Sequence, residues 1–228
     1  MQLTIKHPFL CLPVVSHPKD TRVLKLFDGE KLLLCVYFPF GEAAADNGTY
    51  SYEYLSPLPV SEWMGRTLTL SAEFPAGFED AVTQTDELPV SDEVHPAVHF
   101  TANAGWINDP NGLVYDNGTY HLYYQHNPFG VNWNNMSWGH ATSTDLLHWT
   151  RLPVAMLPDE EGTIFSGCGL TNEHRDEIQA AADSNLYRSL PKDALLFFYT
   201  AAGGSHDSAC SEGKDYTQHT AYSTDHGL

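Results

Sequence analysis

The stretch L-V-Y-D-N-G-T-Y-H-L-Y-Y-Q-H, Leu113 to His126, places two aromatic-rich runs on either side of Asn117-Gly118. Asn-Gly supplies the two positive-φ residues of a two-residue type I′ turn, so it predicts two antiparallel strands in a set register. M-S-W-G-H-A-T-S continues as a third strand, and H-W-T-R-L, beyond the T-D-L-L turn, as a fourth. The unit then recurs. Ala141, Ser143, Thr144 and Asp145 return 80 residues later as Ala221, Ser223, Thr224 and Asp225, and L-L-F-F-Y-T at 195–200 matches H-L-Y-Y-Q-H in bulk. A polar insertion from Asn172, expected to form a helical turn or loop, lengthens the second copy. Successive four-stranded antiparallel units are the blades of a β-propeller. The second copy reaches Leu228 before its fourth strand, so one blade and most of another are expected.

Upstream, the text reads as a small β-sandwich over residues 1–80. R-V-L-K-L-F and K-L-L-L-C-V-Y-F flank Asp28-Gly29, a hairpin signal, and T-Y-S-Y-E-Y-L and R-T-L-T-L-S-A-E-F alternate as half-buried strands do. Tyr50, Tyr52, Tyr54 and Trp63 read more naturally as a packed sheet face than as a sugar-stacking platform. Residues 81–98 are acidic, contain proline and lack a sustained period, as a linker does. Residues 99–228 then form the incomplete propeller domain.

With 11 Lys plus Arg against 29 Asp plus Glu, net charge −18, the chain lacks the basic footprint that nucleic acid or an anionic membrane demands. A neutral ligand would be indifferent to that charge. No apolar run approaches the roughly 20 residues of a spanning helix, and the first residues lack a signal-peptide pattern, so a cytoplasmic location is expected. Cys11, Cys35, Cys168 and Cys210 are irregularly spaced without C-x-x-C, which predicts free thiols rather than a disulfide framework or a zinc site. The N-x-[ST] triplets at Asn47, Asn117 and Asn135 carry no weight without secretion. The scattered His121, His126, His140 and His148 imply no metal, and no cofactor is expected.

W-I-N-D-P-N-G, Trp106 to Gly112, sets one carboxylate among turn formers ahead of strand-type residues. Pro110 has no N–H and biases Asp109 away from helical dihedrals, while Asn111 and Gly112 tolerate positive φ, so a tight bend presenting Asp109 is expected. This block, W-G-H-A-T-S-T-D-L-L-H-W from Trp138 and T-I-F-S-G-C-G from Thr163 occur in the order found in glycoside hydrolase family 32, the invertases, inulinases and levanases, which the chain resembles over Phe100 to Gly169.

The resemblance implies a five-bladed propeller and retaining hydrolysis of β-fructofuranosides such as sucrose, inulin or levan, with Asp109 as nucleophile. Asn108, Gln125, Trp133, Phe165 and Ser166 match positions lining the sugar pocket. Amide, indole and hydroxyl groups suit a polyol ring, which offers hydroxyls to bond and an apolar face to stack upon. Cys168 departs from the family's usual F-S-G-S. The family's general acid, a Glu before a Cys, and its Arg-Asp-Pro aspartate match nothing here. Arg175-Asp176 lacks the proline, and Glu160 and Glu161 have no motif support. The isolated chain is therefore expected to be inactive. A non-catalytic fructan-binding propeller and a fructosyltransferase are the alternatives. Which fructoside is used and the oligomeric state stay open.

Overall fold

The computed structural model describes residues 1–42, 49–89, 96–174, 176 and 186–227. Asn47, Arg175 and most of the polar insertion lie outside them. Strands dominate the regular structure of the described residues, with only short helical turns beside them.

Seven strands form the first part: β1 (Gln2–Thr4), β2 (Phe9–Val14), β3 (Asp20–Asp28), β4 (Lys31–Phe40), β5 (Tyr54–Pro59), β6 (Thr67–Ser71) and β7 (Thr83–Thr85). They make two antiparallel sheets, ordered β1-β6-β3-β4 and β5-β2-β7. Alternating apolar residues from both, among them Leu12, Leu24, Val36, Phe38 and Leu68, close on one core, as a sandwich requires. Short helix α1 (Phe78–Ala81) adds Phe78, fully buried beside Phe38 and Phe40. The β3–β4 turn centres on Gly29-Glu30, one residue later than the Asp28-Gly29 signal suggested, with Gly29 at φ 59°. Positive φ at the first central position is what glycine supplies to a type II′ turn. Strand β7 falls inside the stretch expected to be linker and pairs with β2. Tyr50 is buried, its hydroxyl accepting from Gly41 N, and Tyr54 donates to Pro128 O.

The second part contains β8 (Trp106–Asp116), β9 (Thr119–Asn127), β10 (Ser137–Ser143) and β11 (Thr150–Met156), a four-stranded up-and-down sheet ordered β11-β10-β9-β8. Asn117 (φ 44°) and Gly118 (φ 85°) make the turn that the sequence signals. The next sheet is β12 (Thr163–Thr171), β13 (Leu195–Ala202) and β14 (Tyr216–Ser223), with α2 (Leu186–Ser189) before β13. Val114, Tyr123 and Trp138 of one sheet pack on Ile164, Leu195 and Phe197 of the other. Their inner strands meet glycine to glycine: a Cβ on Gly169 would lie 3.0 Å from Gly112 O.

The two parts interlock. Phe129, from the β9–β10 loop, sits in the sandwich core 5.7 Å from the ring of Phe38. Asn135 accepts from Tyr37 N and donates to Tyr37 O, at 2.9 and 2.8 Å, imitating a ladder partner. Cys35 on β4 is bonded to Cys210 beyond β13, their Cα atoms 6.0 Å apart. That corrects the expectation of four free thiols. The partners are 175 residues apart, and only the tertiary fold brings them together. Cys11 is a buried thiol and Cys168 an exposed one, so the family's serine position does not pack inside its sheet.

Candidate active site

Asp109 does not sit on a separate tight bend ahead of a strand. Trp106–Asp116 is one continuous strand whose pairing with β9 shifts register between Ile107 and Pro110 and again between Asn111 and Val114. Pro110 cannot donate to the ladder, and Gly112 alone in the motif takes positive φ, 48°. The two irregularities turn Asn108, Asp109 and Pro110 outward to solvent. Gly112 has no alternative residue at that φ: a Cβ would meet Trp138 and Tyr123 at 3.0 Å and Phe197 at 3.2 Å.

A matching irregularity lies across the gap. The β12–β13 ladder shifts between Ile164 and Gly167, which releases Phe165 and Ser166 from pairing. Ser166 Oγ donates to Asp109 Oδ2 at 2.8 Å, so two bulged strands of adjacent sheets present their side chains to one another. Asn108 Oδ1 accepts from Trp106 Nε1 at 2.8 Å, which fixes the amide beside the carboxylate.

Gln125 is buried, 2% exposed, and donates from Nε2 to Ile164 O at 2.9 Å. With the Asn111 amide oriented to satisfy both its ends, its oxygen accepts from Gln125 Nε2 at 3.0 Å and Trp138 Nε1 at 3.2 Å. Gln125 thus belongs to a buried polar floor under the site. Partnered in this way, the floor avoids the cost of orphaned buried groups and holds β8, β9 and β12 in one arrangement.

Trp133, half-buried in the β9–β10 loop, meets the ring of Phe165 edge-on at 6.0 Å. Two rings extend this wall that the sequence motifs do not mark. His206 lies 5.1 Å from Trp133, and Tyr216 lies 6.0 Å from Phe165. Both belong to the segment after β13, outside every matched block, and no local pattern flags them. All six expected site residues therefore gather around β8 and β12, with Gln125 beneath and the others above.

The four histidines scattered along the strands, His121, His126, His140 and His148, lie apart from this wall. His126, buried, faces Trp106 O at 2.9 Å and is pushed down to about 4 by desolvation. His140 is pushed down to about 3 by burial and by neighbouring His121, whose Nδ1 is 3.1 Å from His140 Nε2. His148 is exposed against Asp145. A cavity of about 750 Å³ opens between β11, β14 and Trp63, lined by Tyr123, His140 and Phe197 and not by Asp109. Glu62 and Asp225 also line it, but the carboxylate and hydroxyl of the matched blocks face one another at the bulged strands instead.

An all-β chain whose adjacent up-and-down sheets present a carboxylate, a hydroxyl and a wall of rings has the constitution of a site for a neutral polyol. Comparison with known proteins narrows that class. The family model described as "Glycosyl hydrolases family 32 N-terminal domain" matches residues 99–228. The chain is 38% identical over 161 residues to a levanase of Bacillus subtilis, covering 71% of this chain and 20% of that protein. With an extracellular exo-inulinase of Aspergillus niger it shares 41% over 142 residues, 57% of this chain and 24% of the relative. The solved exo-inulinase of Aspergillus awamori superposes with TM-score 0.43 at 35% identity, over 58% of this chain and 26% of that one. The chain belongs to glycoside hydrolase family 32. It spans about a fifth to a quarter of the length of these curated relatives.

Proposed function

We propose that these residues form the nucleophile side of a retaining β-fructofuranosidase, acting on the terminal fructosyl unit of sucrose or a fructan. The observation that carries this is the exposed Asp109 carboxylate, held by Ser166 between two bulged strands. Relatives named levanase and exo-inulinase support fructans as the substrate class.

In this reading Asp109 Oδ1, the oxygen Ser166 leaves free, attacks the anomeric carbon. The C–O bond to the leaving group breaks, a fructosyl ester forms, and water later hydrolyses it. The ring's apolar face packs against Trp133 and Phe165, and Asn108 faces its hydroxyls. The departing oxygen needs a proton, which in retaining glycosidases comes from a second carboxyl about 5–5.5 Å from the first. Glu161 is a poor candidate, being engaged by Lys214 Nζ at 3.0 Å. The acid is assigned instead to the family's Glu-Cys block, carried by a further blade of a five-bladed ring. The Cys35–Cys210 bond favours an oxidising compartment over the cytoplasm as the place of work.

The test separates nucleophile from acid. β-Fructosyl fluoride needs no protonation of its leaving group, whereas sucrose does. The 228-residue chain is expected to release fluoride but no fructose from sucrose, and Asp109→Asn to abolish the fluoride release. General-acid help is worth about 10²- to 10⁴-fold. Turnover of sucrose at a rate comparable with the fluoride would contradict the assignment of the acid elsewhere, and make Glu160, Glu161 and Glu173 the first residues to replace.

A further inference from the structure

We propose that the loop at 203–215 and the start of β14 build a second sugar site beside the first, with His206 and Tyr216 as its platform for the leaving-group ring. This rests on the function proposed above and extends it to a part of the chain outside the matched motifs.

The wall of rings runs outward from the nucleophile in contact order. Asp109 is bonded to Ser166, whose neighbour Phe165 touches Trp133 and Tyr216, and Trp133 touches His206. His206 and Tyr216 are exposed, and the rings of Trp133 and His206 are inclined by only 32°. Together they offer a broad apolar ledge to solvent one residue beyond the hydroxyl that holds the nucleophile. Pyranose and furanose rings stack on such faces through their C–H groups. When Asp109 attacks, the leaving group departs from the opposite face of the anomeric carbon, and the proposal seats its ring on this ledge.

The loop is constructed to hold that position. Asp207, next to His206, is buried, and its carboxylate accepts from Met136 N and Thr163 Oγ1, both at 3.1 Å, and from Ser205 Oγ. Met136 closes the loop that carries Trp133, and Thr163 opens the strand that carries Phe165. One carboxylate therefore sets His206 against both walls of the site. Ser211 Oγ binds back to Gly203 O at 2.7 Å, and Gly203 packs so closely on Lys214 that a Cβ would lie 2.6 Å from it. Cys210 fastens the same loop to β4 of the sandwich. A binding side chain on a loop needs its position fixed by packing and hydrogen bonds, and these anchors supply that support.

The probes are fructose, which fills one ring position, and sucrose, which adds the second. Binding of each to the 228-residue chain is measured by titration calorimetry. His206→Ala is expected to lower the ratio of sucrose to fructose affinity by about 2- to 12-fold, the range of one aromatic contact. His206→Phe should restore it, because the platform needs a ring and not an imidazole. Cys210→Ser should lower it as the loop loses its tether. An unchanged ratio in His206→Ala, or a ratio lost equally in His206→Phe, overturns the proposal. If the unsubstituted chain binds neither sugar, the fructoside reading itself fails, which is a different result from fructose binding with a flat ratio.

Discussion

Ser166 Oγ lies 2.8 Å from Asp109 Oδ2, and this contact joins bulges in two strands of different sheets. It fixes which carboxylate oxygen is free. Ser166→Ala should slow fluoride release from β-fructosyl fluoride by about 2- to 13-fold, the worth of a net hydrogen bond of ~0.5–1.5 kcal/mol. The exposed setting keeps the effect in that range. An unchanged rate in stopped assays would show that the hydroxyl does not orient the carboxylate.

Gly112 is strained for any other residue. Gly112→Ala forces a Cβ at φ 48° against three aromatic rings at 3.0–3.2 Å. A loss of about 1–3 kcal/mol is expected, read as a lowered urea midpoint. Gly29→Ala, with positive φ but nothing within 4 Å of its Cβ, should cost less. Equal losses at the two glycines would mean that contact with the rings contributes nothing.

How much of this was legible in the sequence depended on range. Asn117-Gly118 announced its hairpin because turn chemistry is local, and the 80-residue recurrence announced paired sheets because each repeats the same short signals. D-P-N-G on its own reads as a separate turn, since proline and glycine have the same local preferences in a bend and in a bulged strand. Only the pairing with β9 distinguishes the two. Asp109 and Ser166 were each visible as motif residues, but their bond was not. The Cys35–Cys210 bridge and the contact of His206 with Trp133 left no trace, because both are made by residues far apart in the chain with no shared spacing.

The bridge makes a stability prediction. Replacing both Cys35 and Cys210 by Ser removes a cross-link between β4 and the 203–215 loop. Bridges closing long loops contribute about 2–5 kcal/mol, so the urea midpoint should fall, and dithiothreitol should bring the parent chain toward the variant. A parent chain with four titratable thiols under non-reducing conditions would contradict the bridge.

Burial of His126 and His140 sets a pH dependence. Both are held neutral in the fold, pushed from an ordinary 6.5 to about 4 and about 3. Between 6.5 and those values the unfolded chain binds protons that the folded chain refuses, so stability rises with pH across the window and is lost as pH falls through it. Each ring contributes a slope of up to about 1.4 kcal/mol per pH unit. His226, raised by Asp116, acts with the opposite sign: its contribution is present at low pH and fades as pH rises, and solvent screening keeps it small. Urea midpoints should therefore drop between about pH 6.5 and 4, and His140→Gln should flatten the drop. A midpoint constant over that range would contradict neutral burial.

Asp109 as the nucleophile is tested most directly by finding the covalent intermediate. The chain is mixed with β-fructosyl fluoride, quenched in acid and digested, and the peptide containing W-I-N-D-P-N-G is sequenced by tandem mass spectrometry. One added fructosyl unit is expected on Asp109, absent from Asp109→Asn, with the parent peptide regenerated after longer incubation in water. A stable adduct on another residue, or fluoride released with no adduct at any quench time and at an undiminished rate in Asp109→Asn, would contradict it.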